Sequence, residues 1–372
     1  MKKFLLYIFI LILPLLVLLP LPIYCLYMVG ELNPFDSYIH RLEKDQLWGL
    51  AYSYYDREYK YFMTEKLKSD IVVLGTSRSM QIEENIFNKK YSFYNAGGAA
   101  QNSQDFLEFV KNLTYNPNLI IIDINQFFFN SKSDKSPKAI YKKPKLNGNT
   151  VLKSSLGFYE DLIMGKIDFN RFSANNNIGL LARMKEDGFT DTGFYYYGRI
   201  MNNIKDSQDY NFENTMERIK THSKRFQTCN DVDMSAVNHI DSFLKECKKR
   251  GIMVVGFLPP FAHKTNEAMK KDGNYQYVSQ IYDKLLFCFD GETQFLFDYT
   301  DATKIGGEDY NFIDGFHAGV IVDNLIFKDM ISKNEKISNF FVSPEYIDSV
   351  NMEYMEKHPK FHDLPSIYSS SN

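Results

Sequence analysis

Tryptophan and cysteine are scarce in this chain, and neither sign of charge dominates. One Trp stands among 372 residues, beside 31 Phe and 26 Tyr. The four cysteines, Cys25, Cys229, Cys247 and Cys288, form no C-x-x-C pair. That spacing argues against a thiolate zinc site. For the three cysteines beyond the N terminus it leaves two alternatives, a Cys229–Cys247 disulfide or buried free thiols. The formal net charge is only −3, so there is no electrostatic case for nucleic acid or for an acidic membrane surface. Disorder is disfavoured as well. With 44% hydrophobic and 24% charged residues, the composition is that of an ordered globular protein. The length fits one large or two small domains. There is no internal repeat and no heptad run.

Long apolar runs are limited to one. Lys2 and Lys3 precede a nearly unbroken apolar stretch from position 4 to about 29. Crossing a bilayer takes about 20 such residues. A cleaved signal peptide would end in a small-residue site, which Pro20-Leu-Pro-Ile-Tyr-Cys-Leu-Tyr27 does not supply. Cys25 also lacks the small residues that precede a lipidated cysteine. The expectation is an uncleaved signal anchor over 1–30, with Lys2 and Lys3 cytoplasmic and the body extracytoplasmic. Pro14, Pro20 and Pro22 kink that span or end it early. A juxtamembrane connector follows over 31–69.

From position 70 apolar runs and helical patterns alternate. Ile71-Val-Val-Leu74 reads as a short buried strand. A helix is expected over 80–90, a strand over 91–94, a helix over 103–113 and a strong strand over 118–124. The pattern breaks over about 131–230, read as a helical insertion. It resumes with a helix over 235–250, stopped by Gly251, and a strand over 252–257. A helix over 268–287 and a strand over 294–298 follow. The reading is an α/β domain over 70–335 with a parallel sheet covered on both faces, then a tail over 336–372. Ligands of such sheets bind at the carboxyl ends of the strands, where Ser77, Gly97, Asn125, Pro259 and His317 all fall.

Ser77 follows the first strand in Gly75-Thr-Ser-Arg78. A hydroxyl there, with a helix start behind it, suits attack on an ester carbonyl and stabilisation of an oxyanion by its own N–H. Capping of the helix by Thr76, Ser77 or Ser79 is the competing reading. Gly97 and Gly98 allow close backbone approach and a second oxyanion N–H, or simply a turn. Asn125 offers an amide donor, with Asp123 a rival on the same face. Asp314-Gly-Phe-His317 pairs a base with a carboxylate that orients it. His263 is the rival base, while His222 and His239 read as structural or exposed. Arg78 is either an anion contact or a surface residue.

The order of these blocks resembles the SGNH/GDSL-type hydrolases. Leu74-Gly-Thr-Ser-Arg78, Asn95-Ala-Gly-Gly98, Asp123-Ile-Asn-Gln126 and Asp314-Gly-Phe-His317 match the family's successive blocks. The third match is imperfect, since the usual Gly-x-Asn-Asp is absent, and Thr76 replaces the common Asp. The resemblance covers about 70–130 and 250–330. It implies a three-layer α/β/α flavodoxin-like fold, with Ser77 as nucleophile, His317 as base, Asp314 orienting it, and Ser77, Gly97 or Gly98 and Asn125 around the oxyanion. It implies no metal and no cofactor. With the anchor, the chain looks most like the cell-envelope branch, which includes D-alanyl transfer and polysaccharide O-acetyl-transfer proteins. That likeness implies an esterase or O-acyltransferase acting on an acylated glycan or acyl donor, with a membrane-bound acyltransferase as partner. A non-catalytic assembly protein of an export machine and a lipid acyl hydrolase are the alternatives.

Overall fold

The computed structural model describes residues 4, 7, 20–41, 43–44, 46–132, 140–202, 209 and 211–357. Its strands are β1 (Ile71–Gly75), β2 (Phe93–Gly97), β3 (Leu119–Asp123), β4 (Asp187–Phe189), β5 (Tyr195–Tyr197), β6 (Met253–Leu258) and β7 (Gln294–Asp298). The chain divides into two compact units, one of Met1–Tyr55, Lys142–Asp191 and Tyr195–Gly198, the other of Asp56–Tyr141, Thr192–Phe194 and Arg199–Asn372. The expected insertion over 131–230 is therefore shared between two units.

The larger unit holds a five-stranded sheet in the order β2-β1-β3-β6-β7, parallel throughout. Its strands are apolar on both sides because both faces are covered. Ile71, Val73, Leu119, Ile121, Val255, Phe257 and Phe295 bury one face against Val322, Ile326, Phe327 and Met330 of the helix Val320–Lys333. Val72, Leu74, Ile120, Ile122 and Val254 alternate onto the other face and are fully buried. The helices Gln104–Asn112 and Met234–Lys249 serve that side, their Phe106 and Phe243 rings 5.8 Å apart.

Register decides where chemistry can occur. Gly75 of β1 lies opposite Gly97 of β2, and Asp123 of β3 opposite Phe257 of β6. The carboxyl ends therefore line up. The chain leaves β1 toward β2 on one side, then returns to place β3 on the other. Such a reversal opens a crevice between the loops after β1 and β3, which carry Ser77 and Asn125.

Several expected elements differ. No regular helix occupies 80–90. The segment holds one short 3-10 turn, Glu84–Ile86, and another, Ser77–Ser79, precedes it, because Asn95 Nδ2 donates to both Ser79 O and Ile82 O and holds the chain in a tight loop. The helix expected over 268–287 is two, His263–Asp272 and Gln276–Leu286, broken at Gly273 with φ +79°. The tail is helical at Glu335–Ser338 and Pro344–Lys357, and its Ile337, Phe341 and Ile347 enter the main core. All four cysteines are free, so the Cys229–Cys247 disulfide is not formed.

In the smaller unit, Cys25, Leu26, Val29 and Leu32 pack with Phe158, Leu180 and Met184. Buried Glu31 accepts the backbone N–H groups of Ala51, Tyr52 and Leu180. Of the connector expected over 31–69, residues 31–55 are thus part of this folded body, whose antiparallel ribbon is β4 and β5, while the helix Asp56–Leu67 belongs to the larger unit. No helix among the described residues is long and apolar enough to cross a membrane. Most of the span expected over 1–30 lies outside the described residues, which include its end as the helix Pro20–Met28.

Gly75 shows how tight the sheet's end is. A Cβ there would stand 2.4 Å from Asp123 Oδ2 and 2.6 Å from Ser79 Oγ. Gly75→Ala is expected to lower stability by about 1–3 kcal/mol in denaturant unfolding. A variant as stable as the parent would contradict this packing.

Candidate active site

Asp314 and His317 lie in the loop after β7, and their spacing lets one carboxylate organise the whole turn. Asp314 Oδ1 accepts the N–H groups of Phe316 (2.9 Å) and His317 (2.8 Å). Oδ2 accepts His317 Nδ1–H at 2.7 Å. Burial opposes the Asp314 charge, but His317 and these donors overcome it and hold the carboxyl below its ordinary range. With Nδ1 carrying the proton toward Asp314, Nε2 is left as an acceptor. Ser77 Oγ stands 2.8 Å from it. The two distant sequence blocks therefore meet as Ser77–His317–Asp314.

Thr76 fixes the serine from below. Its N–H donates to Asp123 Oδ2 at 2.7 Å, and its hydroxyl lies 3.1 Å from the same oxygen. Thr76 Oγ1 also accepts from Arg78 N and from Asn125 Nδ2, each at 3.2 Å. The β1 and β3 loops are thus tied through one hydroxyl. Asp123 is fully buried. Desolvation raises its carboxyl to about 6, with Ser79, Arg78 and Thr76 acting against the rise.

The oxyanion donors are fewer than the sequence suggests. Gly97 N–H donates to Asn95 Oδ1 at 2.6 Å. Gly98 N–H donates to Gly75 O and Thr76 O, both at 2.9 Å. These two amides serve the turn, because the β1 and β2 loops satisfy each other's backbone. Ser77 N–H has no acceptor among the described residues, and Asn125 Nδ2 keeps a second N–H beyond its bond to Thr76. Both residues line a cavity of about 710 Å³, together with Gly98, Phe127 and Phe128.

Arg78 is not among the residues that line this cavity. It is buried, donating to Gln126 Oε1 (2.6 Å), Pro259 O (3.0 Å) and Pro260 O (2.5 Å), with Phe261 stacked 4.6 Å away. Burial draws its pKa down while Asp123, Asp314 and Asp323 favour its charge. Its role is to tie the loops after β1, β3 and β6. His263 is exposed at the start of its helix and makes no hydrogen bond to Ser77. It is therefore not the base in this geometry. His222 pairs with Asp272 at 2.9 Å, and His239 bonds Ser103 and Gln104.

Three contributions escape sequence reasoning. Gln126 bridges Arg78 and Pro259, and its place directly after Asn125 was the only local signal. Asp323, in the helix Val320–Lys333, is buried near Asp123 with its carboxyl raised well above the ordinary range, by desolvation first and then by Asp123. Phe316 lies tilted against His317, ring centroids 4.3 Å apart, and meets Phe127 and Phe226 at 5.8 and 5.9 Å.

Asp123 gives this site a pH signature. Its folded carboxyl, at about 6, lies above the value of about 3.9 in an unfolded chain. The folded state binds the proton more tightly, so the stability contributed by protonation is present at about pH 4 and is lost as pH rises through about 6. Asp123→Asn cannot titrate. Urea unfolding from pH 4 to 7 should show the parent losing stability relative to this variant, on the order of 2 kcal/mol. A pH-independent difference would contradict the assigned burial.

No protein-family model, curated protein or solved structure matches the chain.

Proposed function

We propose that this chain is a serine esterase or O-acyltransferase of the SGNH/GDSL type, with a flavodoxin-like sheet order. It would be anchored in the cytoplasmic or inner membrane by the apolar run over 4–29 and act outside on an acylated cell-envelope glycan. The observation that carries the catalytic part is the 2.8 Å contact between Ser77 Oγ and His317 Nε2, backed by Asp314 at 2.7 Å.

In this mechanism Ser77 Oγ attacks the acyl carbonyl carbon. Its proton passes to His317 Nε2 as the Oγ–C bond forms, and the carbonyl π pair moves onto oxygen. Asp314 steadies the imidazolium. Ser77 N–H and the second Asn125 N–H donate to the oxyanion. Collapse breaks the bond to the leaving alkoxide, which takes the proton from His317. Water or a sugar hydroxyl then attacks the acyl-serine, His317 accepts its proton, and Ser77 is released protonated. Water gives hydrolysis and a sugar gives transfer, so the same residues serve both outcomes.

One observation favours the second reading, a non-catalytic SGNH-fold partner of an envelope export or modification machine. The amides of Gly97 and Gly98 are bound within the turn, which leaves two oxyanion donors rather than three.

Turnover separates the readings. With a small acyl ester, Ser77→Ala is expected to lower kcat by at least about 10³-fold, Asp314→Asn by about 10⁴-fold and Asn125→Ala by about 10²-fold. Equal turnover in the parent and Ser77→Ala would overturn the enzyme reading.

A further inference from the structure

The cavity beside Ser77 has a cationic side that the chemistry above does not use. Its charged lining is Asp56, Arg57, Lys132, Lys224 and Arg225. Arg57 is committed, since it donates to Asp105 Oδ2 at 2.7 Å and to Ala99 O at 2.8 Å. Among the described residues Lys132 Nζ reaches only Thr228 Oγ1, at 3.4 Å. Lys224 and Arg225 make no side-chain hydrogen bond or ion pair among the described residues. Two cations thus stand open on the wall of a cavity that also exposes the nucleophile, with Asp56 the one carboxylate among the described lining residues.

The backbone turn that carries two of these cations is held in place. Lys224 and Arg225 belong to the 3-10 turn Lys224–Phe226. Phe226 is fully buried, its ring 5.2 Å from Phe127 and 5.9 Å from Phe316. Tyr275 Oη donates to Phe226 O at 2.7 Å. Lys224 sits at φ +55°, a left-handed conformation uncommon for a lysine. Phe127 lies two residues after Asn125, and Phe316 directly precedes His317. One aromatic cluster therefore fixes the cationic turn and the catalytic loops against each other. A surface lysine or arginine kept only for solubility needs no such anchor. Burial draws the Arg225 pKa down, against the pull of Asp123 and Asp314. The Arg225 side chain is nonetheless exposed at the cavity wall, with no hydrogen-bonding partner among the described residues.

We propose that Arg225, with Lys224 and Lys132, forms an anion subsite that receives a phosphate or carboxylate carried by the substrate beside its acyl ester. The planar guanidinium matches either group with two parallel hydrogen bonds, and the lysines add field at the entrance. Calling the anion part of a substrate rests on Ser77 being the nucleophile. Anion binding itself does not.

The test uses the full chain and three esters with the same acyl and leaving groups, one neutral, one bearing a carboxylate and one bearing a phosphate. The parent should have a higher kcat/KM for at least one charged ester than for the neutral one. The better charged ester identifies the native anion, and raised salt should shrink the preference. Arg225→Gln is expected to cut the charged-to-neutral ratio about tenfold, while Arg225→Lys keeps part of it. Lys249→Gln, which removes a charge from the exposed last turn of Met234–Lys249, should leave the ratio unchanged. A parent without preference, or a ratio unchanged in Arg225→Gln, would overturn the subsite. Calorimetry with inorganic phosphate and, separately, with acetate on Ser77→Ala keeps the two claims separate, binding of either anion being the one that counts. Binding that is lost on adding Arg225→Gln supports the subsite even if no ester is turned over. Absent binding, or binding that persists without Arg225, overturns it.

Discussion

The hydrogen bonds that Asp123 accepts from Thr76 set the geometry on which the rest of the site depends. β1 ends at Gly75, and the chain must then turn sharply enough to lift Ser77 above the sheet. The turn has no long helix behind it. It is held by a carboxylate from the neighbouring strand, 2.7 Å from the Thr76 N–H. Only a residue without a Cβ fits at Gly75, since Asp123 Oδ2 occupies that space. A buried carboxylate is costly unless donors surround it. Here Thr76, Ser79 and the field of Arg78 supply that environment, so the turn and the acid require each other.

Arg78 extends the same logic outward. Three loop segments, after β1, β3 and β6, end at its guanidinium. Removing one partner of such a buried charged cluster leaves others unpaired, which is far more damaging than the cluster's net worth suggests. Around it, Phe127, Phe226, Phe261 and Phe316 form an aromatic mass. The abundance of Phe in the composition thus has a local consequence. Loops that carry polar chemistry are positioned by apolar rings rather than by secondary structure.

The parts readable from sequence were those governed by local pattern. Ile71-Val-Val-Leu74 and Leu119-Ile-Ile-Ile122 announce buried strands because both sheet faces are covered. Asp314-x-x-His317 announces a pair because three residues are what one turn needs to bring a carboxylate onto Nδ1. The parts that failed depend on partners distant in sequence. Residues 80–90 look helical, yet Asn95 captures the carbonyls a helix would use. Arg78 looks like a surface group until Gln126, Pro259 and Pro260 surround it. Gly97 and Gly98 read equally as open donors or as a plain turn, and the bonds their amides make decide for the turn. Arg225 lies in a stretch without periodicity, where no residue type stands out, and only the packing of Phe226 reveals its position.

The central claim is that Ser77, among all the serines of the chain, is an activated nucleophile. Reaction of the full chain with a fluorophosphonate, followed by peptide mass spectrometry, tests this most directly. The geometry predicts stoichiometric modification at Ser77, abolished by His317→Ala in a protein that remains folded. Modification elsewhere, or none at Ser77 in the folded parent, would contradict it.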